Sequence, residues 1–177
     1  MSKIIIRKFS PEFEEQIVNL ILTIQQNEFN IPIGREDQPD LGDIPRFYQS
    51  GHGNFWLASC GNEIVGTIAL IDIGNQQGAL RKMFVKTGYR GKLYNTAAML
   101  LGELLTWAHE HEMREIYLGT TEKFLAAHRF YEKNHFVAIP QAGLPNRFPV
   151  MKVDTRFYKL VIEQDCREGN KNLKSCL

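Results

Sequence analysis

Residues 85–136, VKTGYR GKLYNTAAML LGELLTWAHE HEMREIYLGT TEKFLAAHRF YEKNHF, decide the fold of this chain. A strand ending at Val85 leads through a glycine-containing loop into an amphipathic helix, then a strand over 115–121 and a helix over 122–134. The apolar residues of the first helix recur at three- and four-residue steps. They are Ala97, Leu100, Leu101, Leu104, Leu105 and Ala108. A helix between two strands predicts a crossover that joins parallel strands.

The residues before this stretch predict an antiparallel meander. A strand is predicted over 3–8, and Ser10 and Pro11 then start a helix that ends near Asn27. Residues 31–54 form a proline- and glycine-rich loop with one helical turn at 44–48. Strands over 55–60, 63–73 and 79–85 follow, separated by short turn-forming segments. Short connections of this kind join antiparallel neighbours.

After residue 136 the pattern predicts two more strands. The first covers 136–139, and the second covers 156–162 and is expected to close the sheet. The fold class is therefore mixed α/β (α+β), with a mostly antiparallel central sheet flanked by helices. A single domain is predicted over 1–162, followed by a polar tail over 163–177 that lacks hydrophobic periodicity.

Charge and hydropathy exclude several classes of protein. The chain has 21 basic and 20 acidic residues, a net charge of +1, so no global field draws it to nucleic acid or to an anionic membrane. No stretch approaches the length of a membrane span, and residues 1–9 lack the apolar centre of a signal peptide. We expect a cytoplasmic protein with neither nucleic acid nor membrane as a partner.

The cysteines and histidines do not predict a metal site. Cys60, Cys166 and Cys176 are widely spaced, which favours reduced thiols, with Cys60 inside a strand. His109 and His111 lie two apart on one helix and face different directions. We therefore expect exposed histidines and no bound metal.

The start of the helix after residue 95 can bind an anion. The first N–H groups of a helix have no partners within it, and the helix dipole favours negative charge there. In this chain those groups belong to Asn95, Thr96, Ala97 and Ala98. Arg90 and Lys92, on either side of Gly91, add positive charge to the preceding loop, so a pyrophosphate is one candidate ligand. The alternative is an ordinary helix entry with two surface cations.

The whole stretch resembles the acyl-CoA-binding core of the GNAT acetyltransferase superfamily. The resemblance rests on residues 85–92, on the helix carrying Leu100, Leu101, Trp107 and Ala108, and on the positions of Ala127 and Tyr131. In that family the loop reads Arg or Gln, two residues, Gly, one residue, then Gly or Ala. Counting from Arg90 places Leu93 and Asn95 at the two small positions, whereas counting from Lys92 places Asn95 and Ala97 there. We prefer the second frame because Asn tolerates positive φ and Ala is small.

The resemblance implies a site for acetyl-CoA as co-substrate. The main chain of Met83, Phe84 and Val85 would pair with the pantetheine amides like an added strand. The other implied contacts are Arg90, Gly91, Lys92, Asn95, Thr96, Ala97, Ala98, Phe124 and Ala127.

Besides the loop, this chain departs from the family at two positions around the helix over 122–134. Phe124 stands where relatives carry an asparagine, so Thr120 or Thr121 is the candidate replacement. His135 stands where relatives carry glycine, so Asn134 is expected to form the turn that ends the helix.

The resemblance also implies that Tyr131 is the catalytic residue. When an amine attacks the thioester, the departing thiolate is stabilised by a proton or a hydrogen bond from a positioned donor. A phenol with an ordinary pKa near ~10 can supply a hydrogen bond to a thiolate whose conjugate thiol has a pKa near ~8.5. The predicted activity is therefore N-acetyl transfer to a primary amine.

The base and the acceptor stay open. Residues 78–86 contain no carboxylate, so Asp72, His52 or a chain of waters are the alternatives, and none is assigned. Four acids, Glu36, Asp37, Asp40 and Asp43, would suit a cationic acceptor, although a solvated acidic loop is the expectation. We expect a small-molecule or peptide amine as acceptor, and the resemblance is compatible with a homodimer.

Two other classes of function fit less well. A degenerate domain of this family could bind acyl-CoA as a sensor or structural module, which the departures at Leu93, Phe124 and His135 permit and Tyr131 disfavours. A nucleic-acid adaptor would need an aromatic and basic motif that the sequence lacks.

Overall fold

A computed structural model describes residues 3–163 of the chain. In that part of the chain the strands are β1 Ile4–Lys8, β2 Asn54–Cys60, β3 Glu63–Gly74, β4 Gln77–Val85, β5 Glu115–Thr120, β6 Val137–Ile139 and β7 Arg156–Val161. The α-helices are α1 Glu14–Leu22, α2 Ile44–Tyr48, α3 Thr96–Glu110 and α4 Leu125–Lys133. The predicted tail, with Cys166 and Cys176, lies almost wholly outside the described residues.

The strands form one sheet in the order β1-β2-β3-β4-β5-β7-β6. β4 and β5 are parallel and are joined through α3, whereas the other neighbouring strands are antiparallel. The predicted mixed, mostly antiparallel sheet is therefore confirmed. The expectation that the last strand closes the sheet is wrong, because β7 lies between β5 and β6 and leaves the short β6 at the edge.

Helices cover both faces of the sheet. On one face, Leu100, Leu101 and Leu104 of α3 pack against Trp56 and Leu80 of the sheet. On the other face, α1 and α2 pack against alternate residues of the same strands. These contacts involve Ile17, Ile21, Ile44, Tyr48, Phe55, Leu57 and Ala69. Phe55 and Trp56 point to opposite faces, as successive strand residues must, so burial on both sides explains the unbroken apolar run in β2.

The helix that follows Pro11 changes its winding before it ends. A short 3₁₀ turn, Pro11–Phe13, leads into α1, and the chain then continues as a π-helical segment over Thr23–Glu28. The predicted end near Asn27 is confirmed to within a residue. π-Helical segments occur frequently at functional sites, and this one brings Ile24 and Gln25 to the two cavities described below.

Two local predictions around α4 are wrong. The helix begins at Leu125 rather than near residue 122, because residues 121–124 form a turn at the end of β5. At its other end Asn134 has φ −97°, and the left-handed residue is His135 with φ 68°. His135 therefore adopts positive φ at the position where the family carries glycine, although a side chain is disfavoured there.

Candidate active site

The parallel strands β4 and β5 separate after a short paired segment. Their pairing joins Gln77–Ala79 to Glu115–Tyr117, and no pairing between the two strands is recorded beyond Ala79 in residues 3–163. From Leu80 to Val85 the edge of β4 that faces β5 therefore offers main-chain groups to an open cleft. Unpaired strand edges of this kind can bind an extended ligand as an added strand.

Two cavities occupy this cleft. The larger, which we call the apolar cavity, measures about 460 Å³ and lies between the end of β4, the start of α3 and α4. Its lining includes Ile24, Phe29, Met83, Phe84, Val85, Arg90, Gly91, Ala97, Lys123, Phe124, Leu125, Ala126, Ala127, Phe130 and Tyr131. The smaller, which we call the polar cavity, measures about 100 Å³ and lies between the middle of β4, the end of β5 and the loops before α2 and β7.

Tyr131 lines both cavities. Its ring is buried at 5% exposure and packs against Phe130, Phe136 and Tyr158. Within residues 3–163 no hydrogen bond is recorded for its hydroxyl group. Burial raises the pKa of the phenol above its ordinary value, and Tyr158 adds to that shift. Tyr131 therefore stays protonated at neutral pH and can donate a hydrogen bond where the two cavities meet.

The loop before α3 exposes a row of main-chain donors. Asn95 has φ 54° and ψ 24°, a left-handed conformation, and directly precedes the helix. The amides of residues 91–94 and 96–98 have no recorded acceptor among the described residues. Within residues 3–163 the hydroxyl of Thr96, which is fully buried, also has no hydrogen-bond partner. This combination fits an anion at the helix start.

Arg90 is already engaged by the protein. Its guanidinium binds Glu28 through both terminal nitrogens, one of them at 2.8 Å, and its Nε donates to the carbonyl of Val85 at 2.6 Å. The hydrogen bond from Arg90 lowers the pKa of the Glu28 carboxyl. Lys92, in contrast, is exposed and makes no ion pair within the described residues.

The polar cavity contains a network of buried polar side chains. The ammonium of Lys82 lies 3.1 Å from Asp40 and donates to Gln38 at 2.7 Å, and Gln38 in turn donates to Gln25 at 2.9 Å. Tyr48 also donates to Asp40. Burial lowers the pKa of Lys82, and the charge of Asp40 opposes this shift. Asp40 is therefore not part of a solvated acidic loop, and that expectation is wrong for this residue.

Asp154 and Arg81 complete the charged lining. The carboxylate of Asp154 accepts a hydrogen bond from the amide of Met151 at 2.8 Å. Burial raises the pKa of this carboxyl, although the Met151 amide and the charge of Arg81 act in the opposite direction. Sequence reasoning gave Asp154 no role of its own, because it comes late in the chain and only the pairing of β7 with β5 brings it to the cleft.

The residues proposed from the sequence divide into two groups. Eight of the contacts implied by the family resemblance line the apolar cavity: Met83, Phe84, Val85, Arg90, Gly91, Ala97, Phe124 and Ala127. Lys92, Asn95, Thr96 and Ala98 lie outside that lining, on the loop and first turn of α3. Sequence reasoning missed Phe29, which packs edge-on against Phe124 with ring centroids 4.5 Å apart.

The remaining candidates lie elsewhere. Asp72 accepts hydrogen bonds from the amides of His52 and Gly74, and neither Asp72 nor His52 lines the two cavities. Thr120 and Thr121 line the polar cavity rather than the apolar one.

The histidines are not all exposed, contrary to the prediction. His128 is buried, its Nε2 donates to the Thr121 carbonyl at 2.9 Å, and its Nδ1 accepts from Arg156 at 3.2 Å. Within the described residues no three His, Cys, Asp or Glu side chains converge as a metal site would require, and no helix is long and apolar enough to cross a membrane.

Comparison with known proteins agrees with this architecture. The family model described as "Acetyltransferase (GNAT) family" matches residues 18–136. The crystal structure of a GNAT-family acetyltransferase from Staphylococcus aureus Mu50 has a TM-score of 0.87 and 42% identity, covering 90% of this chain and 99% of that one. An acetyltransferase structure from Streptococcus agalactiae has a TM-score of 0.86 and 29% identity, covering 91% of this chain and 99% of that one.

Among curated proteins, N-acetylaspartate synthetase from Xenopus tropicalis is 36% identical over 101 residues. The match covers 55% of this chain and 36% of that enzyme, so the chain spans about a third of the relative's length. The family match extends over two thirds of the chain and includes residues 85–136. The chain is thus a member of the GNAT family of acetyltransferases.

Proposed function

We propose that this protein transfers the acetyl group of acetyl-CoA to the primary amine of a small molecule, with Tyr131 as donor to the departing thiolate. One observation carries the proposal. Tyr131 lies at the junction of an apolar cavity and a polar cavity, buried, protonated, and with no recorded hydrogen bond to its hydroxyl among the described residues. A reaction between two substrates that enter from opposite sides needs such a donor at their meeting point.

The apolar cavity is the proposed site of acetyl-CoA. The main-chain edge of Met83, Phe84 and Val85 would pair with the pantetheine amides, and the small side chains of Ala97 and Ala127 leave room for the arm. The pyrophosphate would bind the amides before and at the start of α3, where Asn95 already adopts the left-handed conformation. This arrangement favours the loop frame that begins at Lys92, with its exposed ammonium beside the phosphates.

The proposed reaction is direct attack. The amine nitrogen attacks the thioester carbonyl carbon, the C–N bond forms, and the C–S bond breaks. Tyr131 donates its hydrogen bond to the sulfur as negative charge develops there. The raised pKa of the phenol disfavours full ionisation, so hydrogen bonding to the thiolate is a better description of its role than complete proton transfer.

The polar cavity is the proposed acceptor site. Its lining comes from the loops around residues 31–38 and 151–154, from the middle of β4 and from the end of β5. The matching relative from Xenopus tropicalis is named for the acetylation of aspartate, which supports a small-molecule amine for this chain.

The test is release of free thiol from acetyl-CoA in the presence of a panel of amines, with CoA binding measured in parallel by calorimetry. The proposal predicts saturable CoA binding and thiol release that depends on the amine. Tight CoA binding with no turnover for any amine would favour an acyl-CoA sensor, and absence of CoA binding would contradict the proposal.

A further inference from the structure

A bulge in β4 directs the side chains of two consecutive basic residues, Arg81 and Lys82, towards the polar cavity. Ala69 of β3 pairs with Arg81 and Thr67 pairs with Phe84, so β4 has one residue more than its partner in this interval. Lys82 has φ 51°, a left-handed conformation, and its carbonyl accepts a hydrogen bond from the Thr67 hydroxyl at 2.7 Å. In a regular strand, neighbouring side chains point to opposite faces. Here both Arg81 and Lys82 line one cavity.

The two cations differ in how far their charge is already matched. Lys82, with a side chain only 5% exposed, binds Asp40 and Gln38. For Arg81 the only recorded side-chain hydrogen bond in the described part of the chain is a long one, 3.4 Å from Nη1 to the carbonyl of Pro149. A guanidinium carries five N–H donors in a planar fork. Arg81 therefore keeps donors for an anion that enters the cavity.

Asp154 lies in the loop before β7, beside the end of β5 and across the cleft from β4. A Cβ atom on Gly119 of β5 would come within 2.5 Å of the Asp154 carboxylate, so the glycine permits this carboxylate to approach the end of β5. One of its oxygens is held by the amide of Met151. Among the residues that line the polar cavity, the charged side chains are Arg81, Lys82 and Asp154.

We propose that the acceptor is a small amino acid-like zwitterion, whose carboxylate binds Arg81 and whose ammonium binds Asp154, which takes the proton that must leave before attack. This inference rests on the proposed function and adds the acceptor class and the base. A bidentate contact between guanidinium and carboxylate is a strong and directional interaction. A polyamine or other purely cationic acceptor would instead place a positive charge beside Arg81 and Lys82.

The proposed step conserves protons and electrons. One ammonium proton passes to Asp154, and the freed lone pair attacks the thioester carbon. The new C–N bond forms as the C–S bond breaks, the nitrogen loses its second proton, and the thiolate takes one proton. The net products are the N-acetylated acceptor, CoA as thiol and one proton, with no oxidant or reductant involved.

The first test compares acceptors in pairs. Thiol release is measured for single amino acids and, for each, the corresponding amine that lacks the α-carboxylate, with wild type, Arg81→Gln and Arg147→Gln. Arg147 is the matched control because it is an exposed arginine outside the polar cavity. We expect wild type to prefer amino acids, and Arg81→Gln to raise their KM at least tenfold while the KM of the decarboxylated amines stays within twofold. Arg147→Gln should match wild type.

The second test addresses the base. Arg81 and Lys82 from β4 and Tyr131 from α4 also face the cavity that Asp154 lines. Because these three groups can titrate or shift the pH profile, the variants change only Asp154. Asp154→Asn can keep the hydrogen bond from the Met151 amide. It should lower kcat at least thirtyfold and abolish the fall of kcat at low pH. Asp154→Glu should restore part of kcat and its fall at low pH.

The outcomes separate this inference from the proposed function. Turnover of decarboxylated amines as fast as amino acids, or equal KM values for wild type and Arg81→Gln, would overturn the inference while acetyl transfer stands. If no acceptor turns over, calorimetry on the CoA-saturated protein measures amino acid binding directly. Amino acids that do not bind to wild type, or that bind equally well to wild type and Arg81→Gln, would overturn the inference. Failure of CoA to bind would contradict the proposed function itself.

Discussion

The guanidinium of Arg90 binds the carboxylate of Glu28, and this ion pair joins the loop before α3 to the π-helical segment on the other side of the apolar cavity. The sequence predicted that Arg90 would contribute charge to a pyrophosphate site. In the structure Glu28 neutralises that charge, and the Nε of Arg90 donates a hydrogen bond to the carbonyl of Val85.

Glu28→Gln should release the charge of Arg90. We expect CoA to bind two- to fivefold more tightly to Glu28→Gln, with a steeper loss of affinity at high salt, because an unmatched cation then lies near the phosphates. Arg90→Ala should weaken binding several-fold. Calorimetry at 50 and 500 mM salt measures both effects. Equal weakening of CoA binding in Glu28→Gln and Arg90→Ala would show instead that the ion pair serves to hold the loop before α3 in place.

Asn95 should tolerate glycine but not a β-branched residue. Its left-handed conformation costs an ordinary residue about 1–2 kcal/mol, and asparagine less. Asn95→Val should therefore lower the free energy of unfolding by about that amount, whereas Asn95→Gly should stay close to wild type. Asn19→Val, at an exposed position of α1, is the control for a valine in place of asparagine. Chemical denaturation measures all three, and equal costs at 95 and 19 would be inconsistent with backbone strain.

Breaking the Lys82–Asp40 pair should destabilise the fold strongly. Asp40→Asn leaves a buried ammonium without its partner, and loss of one member of a buried pair typically costs about 3–5 kcal/mol. The double variant Asp40→Asn with Lys82→Met should recover a large part of that loss, since it removes the unmatched charge. Urea denaturation of wild type, of Asp40→Asn, of Lys82→Met and of the double variant gives the coupling free energy. A double variant no more stable than Asp40→Asn would contradict this prediction.

Asp154 should reduce stability at neutral pH. Burial raises its pKa in the folded state, so the folded protein binds this proton more readily than the unfolded chain. The stabilisation that protonated Asp154 gives is fully present below the pKa of the unfolded chain, near ~3.9. It is lost as the pH rises through the pKa of Asp154 in the folded protein. Asp154→Asn should therefore unfold at higher urea than wild type at pH 7, and the difference should shrink towards pH 4. A variant less stable than wild type at pH 7 would contradict this sign.

Much of the fold could be predicted because local patterns carry it. The apolar spacing of Leu100 and Leu104 indicates α3, and the turn residues between β2, β3 and β4 indicate the meander. Even the short α2 was located correctly, since Pro45 suits the first turn of a helix.

The polar half of the candidate site could not be predicted in the same way. The bulge at Lys82 leaves no mark in the pattern of β4, and a left-handed lysine contradicts its local preference. Asp40 and Asp154 reach the cleft only through long-range packing, by contact with Lys82 and by the pairing of β7 with β5. Most residues that line the apolar cavity come from the contiguous stretch 83–131, whereas the residues around the polar cavity come from distant segments.

The most direct test of the central claim is the comparison of wild type with Tyr131→Phe in amine-dependent thiol release from acetyl-CoA. Because the Tyr131 hydroxyl makes no recorded hydrogen bond in residues 3–163, its removal should leave the Tm and the Kd for CoA nearly unchanged. We expect kcat to fall about 10²-fold or more, the size typical for loss of a positioned proton donor. A Tyr131→Phe variant with wild-type kcat would contradict the assignment of Tyr131 as the donor to the leaving thiolate.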